Sequence, residues 1–132
     1  MSGQNPFEAM MKMSREWATS MNVDMDAIAP KGFENLWPTM SAEAMEMFFG
    51  KGSNPEGLDA KTRLMLTLAG LTVLGAQAES QIRLTVRHLV EAGASKQEIA
   101  EVIAQMGMFA GVPAMSKAME LATEVLDKDE SA

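Results

Sequence analysis

Signals that start and stop α-helices recur through the second half of the chain. Ser95 and Glu98 form a Ser-x-x-Glu capping box, in which each side chain satisfies a backbone N–H of the other residue at the start of a helix. Asp59 can cap an earlier helix, Gly93 can end one, and Pro113 can open the last one. No run of alternating β-branched residues indicates a strand. The sequence therefore predicts an all-α fold of about six helices.

The spacing of apolar residues gives approximate bounds for these helices. Besides the helices that start at the capping box and at Pro113, we expect helices over about 6–21, 41–49, 60–75 and 77–92. The segment 60–75 is apolar on nearly every side, which predicts a helix at the centre of the core.

Breaks between these elements suggest how the chain is organised. Residues 24–37 should form one or two short helical turns, and Gly, Ser, Asn and Pro residues make 50–57 a loop. We expect an N-terminal helical arm over 1–50, a compact helical domain over 51–126 and an acidic tail over 127–132.

Composition excludes several classes of function. The formal net charge is −7 and no Lys/Arg cluster is denser than Arg83 and Arg87, which argues against nucleic-acid binding. The chain has no cysteine, so disulfides, thiolate nucleophiles and cysteine-bound metals are excluded. The longest apolar stretch, from Leu64 to Ala78, is shorter than the ~20 residues of a membrane-spanning helix, and the N-terminus lacks a signal-peptide pattern. We therefore expect a cytoplasmic protein that binds neither nucleic acid nor membrane.

Two short motifs carry a resemblance to a known family. Residues 93–99 read GASKQEI and residues 110–114 read AGVPA. They lie within a stretch from Gly57 to Leu126 that resembles the carboxymuconolactone decarboxylase and alkylhydroperoxidase D-like superfamily. The resemblance implies a compact helical domain and a homo-oligomer, often a trimer or a hexamer. It also implies one of two reactions, the reduction of peroxides by a pair of thiols or the decarboxylation of a lactone.

The places that carry chemistry in that superfamily hold unreactive residues here. Redox-active members have a Cys-x-x-Cys pair followed by a histidine, and these places correspond to Ala78, Gln81 and Thr85. A glutamate of the preceding helix corresponds to Leu64, and a tyrosine before the second motif corresponds to Phe109. The absence of thiols excludes the peroxidase route, and the absence of the histidine weakens the decarboxylase route.

His88 is the one histidine of the chain and the main candidate for a catalytic residue. It follows Thr85 by three positions, so both side chains project from nearly the same side of a helix. Gln81, Thr85 and His88 can then form a polar strip in which His88 acts as a displaced general base. The alternative, which we favour, is a hydrogen-bonded core or interface histidine without a catalytic part.

Charged residues recur at every fourth position of the same predicted helix, at Glu79, Arg83, Arg87 and Glu91. Arg83 and Arg87 could clamp a carboxylate ligand, because a guanidinium group matches the two oxygens of a carboxylate. The alternative, which we favour, is an exposed row of ion pairs worth about 0.3–0.5 kcal/mol each. Gln105 is a further polar candidate for ligand binding.

The N-terminal arm contributes most of the 14 methionines of the chain, together with Phe7, Trp17, Phe33 and Trp37. Such residues are typical of an irregular core or a subunit interface, so we expect a homo-oligomer. No metal-ligand spacing or phosphate loop is present, and we expect neither a metal nor a cofactor. The favoured hypothesis is a non-catalytic oligomeric module that binds a protein or a small molecule, such as a carboxylated metabolite. The alternative is a lactone decarboxylase that uses His88.

Overall fold

The computed structural model describes residues 6, 8–10, 12, 13, 16 and 38–131, and side chains within this set except those of 129–131. The chain divides into two compact units, Met1–Pro30 and Lys31–Ala132. Every described residue of the first unit is helical, in agreement with the helix expected over 6–21. The turns expected over 24–37 lie outside the described residues, as do Phe7, Trp17, Phe33 and Trp37.

Five helices follow between residues 38 and 131, numbered here in chain order: α1 Ala42–Phe49, α2 Ala60–Val73, α3 Glu79–Glu91, α4 Lys96–Ala110 and α5 Val112–Ser131. The described residues contain no strand, so the predicted all-α class is confirmed. No helix in this part of the chain has both the length and the apolar character needed to cross a membrane.

Side-chain caps start three of these helices, including the two caps predicted at Asp59 and at Ser95 with Glu98. Ser41 caps α1, and the Asp59 carboxylate accepts the Thr62 N–H at 2.8 Å at the start of α2. At the start of α4, Ser95 and Glu98 each accept the other's backbone N–H at 3.0 Å. These bonds satisfy N–H groups that have no partner inside the helix, which explains why the helices begin at these residues.

The turns between helices depend on residues with positive φ. Helix α2 ends at Val73, earlier than the expected bound, because Gly75 and Ala76 adopt φ values of 94° and 55°. The Ala76 N–H bonds to the Leu71 carbonyl at 3.1 Å, as in a Schellman motif. Gly93, with φ of 94°, ends α3 in the same way, so the predicted stop at this glycine is confirmed.

Helices α2 to α5 form a ring around the core. Helix α2 packs against α3 and α4, and α5 packs against the same two helices from the other side. Two ion pairs fix the directions, since Lys61 near the start of α2 contacts Glu98 near the start of α4 at 2.9 Å, and Glu79 and Lys117 join α3 to α5. The fully buried residues of the core are Leu68, Thr72, Ala76, Ile82, Val86, Leu89, Ile99, Ile103 and Ala118.

Helix α1 attaches to the N-terminal end of α2. The Glu46 carboxylate accepts the Ala60 N–H at 3.1 Å and also binds the Lys51 N–H, while Met45 is buried. One acidic side chain of α1 therefore helps to cap α2 and closes the loop between the two helices. The second compact unit begins before α1 and includes it.

Burial of α2 differs from the sequence prediction. Only Ala60, Leu68 and Thr72 of this helix are buried, whereas Leu66 and Val73 are exposed. The ring geometry explains the difference, because α3 and α4 cover one side of α2 and leave its outer side uncovered. The expectation that this helix lies at the centre of the core is therefore met on the inner side of α2 only.

Candidate functional site on helix α3

The two positions that hold thiols in redox-active members of the superfamily that this chain resembles lie at the start of α3. Ala78 is the N-cap residue and provides no side-chain cap, and Gln81 is exposed in the first turn. The positive end of a helix dipole stabilises a thiolate at such a position. Here a methyl group and an amide occupy it, so this end of α3 provides no nucleophile.

Thr85 occupies the third of these places, and its hydroxyl is used within the helix. The residue is buried, and Oγ1 donates to the Gln81 carbonyl at 2.7 Å. Gln81 is exposed while His88 is half-buried. The three residues expected to form one polar strip therefore lie in three different environments along α3.

Both ring nitrogens of His88 bind backbone groups. Nδ1 lies 2.9 Å from the Leu84 carbonyl, and Nε2 accepts the Met40 N–H at 3.1 Å. Because a carbonyl oxygen only accepts hydrogen bonds, Nδ1 must carry the proton and Nε2 the lone pair. A general base would use the Nε2 lone pair to accept a proton. Here that lone pair accepts the Met40 N–H, and this hydrogen bond holds the segment before α1 against α3.

Arg83 is buried, with 8% of its surface exposed. Its Nε donates to Glu124 of α5 at 2.9 Å, and a terminal nitrogen lies 3.4 Å from Glu79. The other oxygen of Glu79 lies 3.2 Å from Lys117, also on α5. The predicted ion pair between Glu79 and Arg83 is therefore present, but the row is not exposed at Arg83, because α5 covers this side of α3 and supplies the shorter bond. The network joins two helices of the ring.

The remaining candidates lie apart from His88. Arg87 is partly buried and already engaged in an interaction, and Gln105 is exposed on α4 with its amide 3.8 Å from the Met108 sulfur. An open depression of 430 Å³ lies on the outer side of α5, lined by Met119, Glu120, Thr123, Glu124 and Asp127. None of the residues predicted from the sequence lines this depression. Within the described residues, no three His, Asp or Glu side chains are grouped to hold a metal ion.

Comparison with known proteins identifies the class to which this fold belongs. The sequence profile of the Carboxymuconolactone decarboxylase family matches residues 38–124. This range includes helices α1 to α4 and the first part of α5. The chain therefore belongs to the carboxymuconolactone decarboxylase family, and the resemblance seen in the sequence is confirmed.

Two relatives show how the similarity is distributed. The chain is 48% identical over 127 residues to an uncharacterized 15.0 kDa protein of the nqo9–nqo10 intergenic region of Paracoccus denitrificans, covering 96% of this chain and 95% of that protein. It is 38% identical over 69 residues to 4-carboxymuconolactone decarboxylase of Acinetobacter baylyi. That second match covers 52% of this chain and 50% of the Acinetobacter protein.

The structure also shows a surface that the sequence analysis did not identify. Its large apolar side chains are exposed and come from the middle and end of α2 and its cap, the end of α4 and the start of α5: Leu66, Val73, Leu74, Met108, Phe109 and Val112. We call these six residues the uncharged face, because no Asp, Glu, Lys, Arg or His occurs over 64–78 or over 102–116. Those two charge-free runs were the signal available in the sequence.

Proposed function

We propose that this chain is a non-catalytic member of its family that assembles with copies of itself and acts as a binding module. The observation that carries the proposal is the bonding of His88, the one imidazole of the chain, to the Met40 N–H and the Leu84 carbonyl. Both ring nitrogens hold backbone groups, and the Nε2 lone pair that a general base would use is occupied by the Met40 N–H. A cytoplasmic location is part of the same proposal.

The exposed apolar residues support self-assembly as the binding activity. Large exposed apolar areas on a folded chain are typical of protein–protein interfaces. Six such residues form the uncharged face, and the charged side chains on the opposite side of the ring bind each other. For Arg83, the carboxylates that a small ligand would supply are already provided by Glu124 and Glu79.

The alternative function is decarboxylation of a lactone with His88 as the base. It is supported by the similarity of half of this chain to 4-carboxymuconolactone decarboxylase of Acinetobacter baylyi. For the reaction to occur, Nε2 would have to exchange the Met40 N–H for a substrate proton, and the segment before α1 would have to move away.

An assay with 4-carboxymuconolactone separates the two functions. We expect wild-type protein and the His88→Gln variant to show no decarboxylation above the uncatalysed rate. Turnover by wild type that His88→Gln abolishes would establish the enzyme and overturn the proposal. The chain should also fail to reduce an alkyl hydroperoxide with a dithiol regenerant, because it has no cysteine. Stoichiometric oxidation of methionines must be subtracted in that assay.

A further inference from the structure

We propose that the uncharged face is the surface through which this chain binds a second copy of itself. The proposal rests on the proposed function, which requires self-assembly, and adds the location of the contact. The most exposed residues of the face are Met108 at 79%, Leu74 at 74% and Phe109 at 71%.

Four residues of this face lie at the C-terminal ends of two neighbouring helices, Val73 and Leu74 on α2 and Met108 and Phe109 on α4. The ion pair between Lys61 and Glu98 places the starts of α2 and α4 side by side. At 1.5 Å per residue, Val73 lies about 18 Å beyond Lys61, and Phe109 lies about 17 Å beyond Glu98. The two helices therefore bring the exposed residues of their C-terminal ends to the same height.

The absence of charge favours a second copy as the partner. Two copies each carrying a net charge of −7 repel one another, so a contact between them is least costly where neither presents a carboxylate. The cores of protein interfaces are depleted of charged residues and enriched in aromatic residues and Met. Phe109 and Met108 at the end of α4 agree with that composition.

The size of the face is also sufficient for a specific contact. From the exposed fractions of its six residues, we estimate that it can bury on the order of 600 Å² per copy. A standard interface buries roughly 800 Å² per partner, so these six residues alone account for about three quarters of that area.

The shape of the exposed side of α2 allows two identical faces to fit together. A Cβ atom added to Gly70 would meet no atom within 4 Å, so the space above this residue is open. Leu66 and Leu74, one turn to each side, are exposed. A symmetric contact requires each copy to offer both a projection and a recess, and this row offers both.

Light scattering of the full-length chain tests the contact with three matched substitutions. We expect wild type at a multiple of 14.3 kDa, and Leu66→Glu and Phe109→Glu at a lower mass. The apparent dissociation constant should rise about 100-fold or more, as for central interface residues. Phe48→Glu is the control, since Phe48 on α1 is 64% exposed but lies outside the face. Circular dichroism should show unchanged helix content for all three.

Each outcome of this experiment has a definite meaning. A wild-type monomer would overturn both this inference and the proposed function. An oligomer that survives Leu66→Glu and Phe109→Glu would overturn only the inference and leave the module intact. Dissociation by Phe48→Glu to the same extent would also contradict a contact confined to the uncharged face.

A cross-linking experiment gives an independent measurement, because the chain has no cysteine of its own. We expect Gly70→Cys, treated with a short bismaleimide, to give a covalent dimer as the main product. Thr123→Cys, at an exposed position on α5, is the matched control and should remain a single chain. Equal dimer yields from the two variants would overturn the proposed location.

Discussion

The α3–α5 side and the α2–α4 side of the ring use their residues in opposite ways. On the first side a buried Arg83 binds Glu124 and Glu79, so charged groups join two helices of the same chain. On the second side Leu66 and Phe109 are exposed, and the helix segments that carry them contain no charge. The first side is complete within one chain, whereas the second presents residues of a kind normally buried.

This difference bears on how a helix with an apolar sequence is interpreted. The sequence of α2 is apolar on nearly every side, which usually indicates a helix surrounded by its own domain. In this chain Leu68 and Thr72 point into the ring while the opposite side of the helix is exposed. The apolar pattern is explained if a neighbouring copy covers that opposite side.

The largest expected effect comes from a matched pair of leucines on α2. Leu68→Ala should destabilise the chain by about 2–5 kcal/mol, because it removes a fully buried side chain and leaves a cavity. Leu66→Ala should change the unfolding free energy of the dissociated chain by less than about 0.5 kcal/mol, because Leu66 is exposed. Urea denaturation at low and high protein concentration measures both. A large loss for Leu66→Ala in the dissociated chain would show that the two sides of α2 are not distinct.

A second prediction concerns the charged side of the ring. Arg83→Ala should lower the free energy of unfolding by about 1–3 kcal/mol. The substitution removes a buried cation together with its hydrogen bond to Glu124, and it leaves space between α3 and α5. Lys117→Ala removes a partly exposed partner of Glu79 and should cost about 0–1 kcal/mol. Denaturation midpoints at neutral pH compare the two variants. Equal costs would mean that burial of the arginine adds nothing to the network.

Much of the fold could be predicted because its signals are local. Ser95, Glu98 and Asp59 bond to backbone groups within a few residues, and Gly93 is required by its own φ. The predicted start of α3 was less accurate, because the turn before it uses Ala76 at positive φ, a conformation that alanine seldom adopts.

The environment of the candidate site depends on distant parts of the chain, which the sequence does not reveal. The distant partner of His88 is the backbone N–H of Met40, on a segment separated from α3 by two helices and their connecting loops. The shorter bond of Arg83 goes to Glu124, which only the packing of α5 against α3 brings close. Helical spacing predicted which residues share a helix side, but it could not predict which other helix covers that side.

A third prediction tests whether His88 positions the segment before α1. His88→Phe preserves a ring and removes both hydrogen bonds, so the Met40 amide should exchange with solvent about 5–10-fold faster, equivalent to about 1 kcal/mol. Hydrogen exchange measured by NMR reports this single amide. The Ala44 amide, bound by Ser41 at the start of α1, serves as an internal reference. Unchanged exchange at Met40 would show that the bond from His88 contributes nothing to holding this segment.

The smallest expected effect concerns Asp59 and Glu98, the carboxylates at the starts of α2 and α4. Hydrogen bonds from Thr62 lower the pKa of Asp59 below its usual 3.8, and the Ser95 N–H, followed by Lys61, lowers the pKa of Glu98 below 4.5. Since both pKa values are lower in the folded chain than in the unfolded chain, this stabilisation is complete above the usual values and is lost as pH falls through and below them. Both carboxylates are partly accessible to solvent, so the contribution should be small. Thermal unfolding should therefore show a shallower fall in midpoint between about pH 5 and pH 3 in an Asp59→Asn, Glu98→Gln double variant than in wild type. Identical slopes would mean that protonation of these two caps is not coupled to folding.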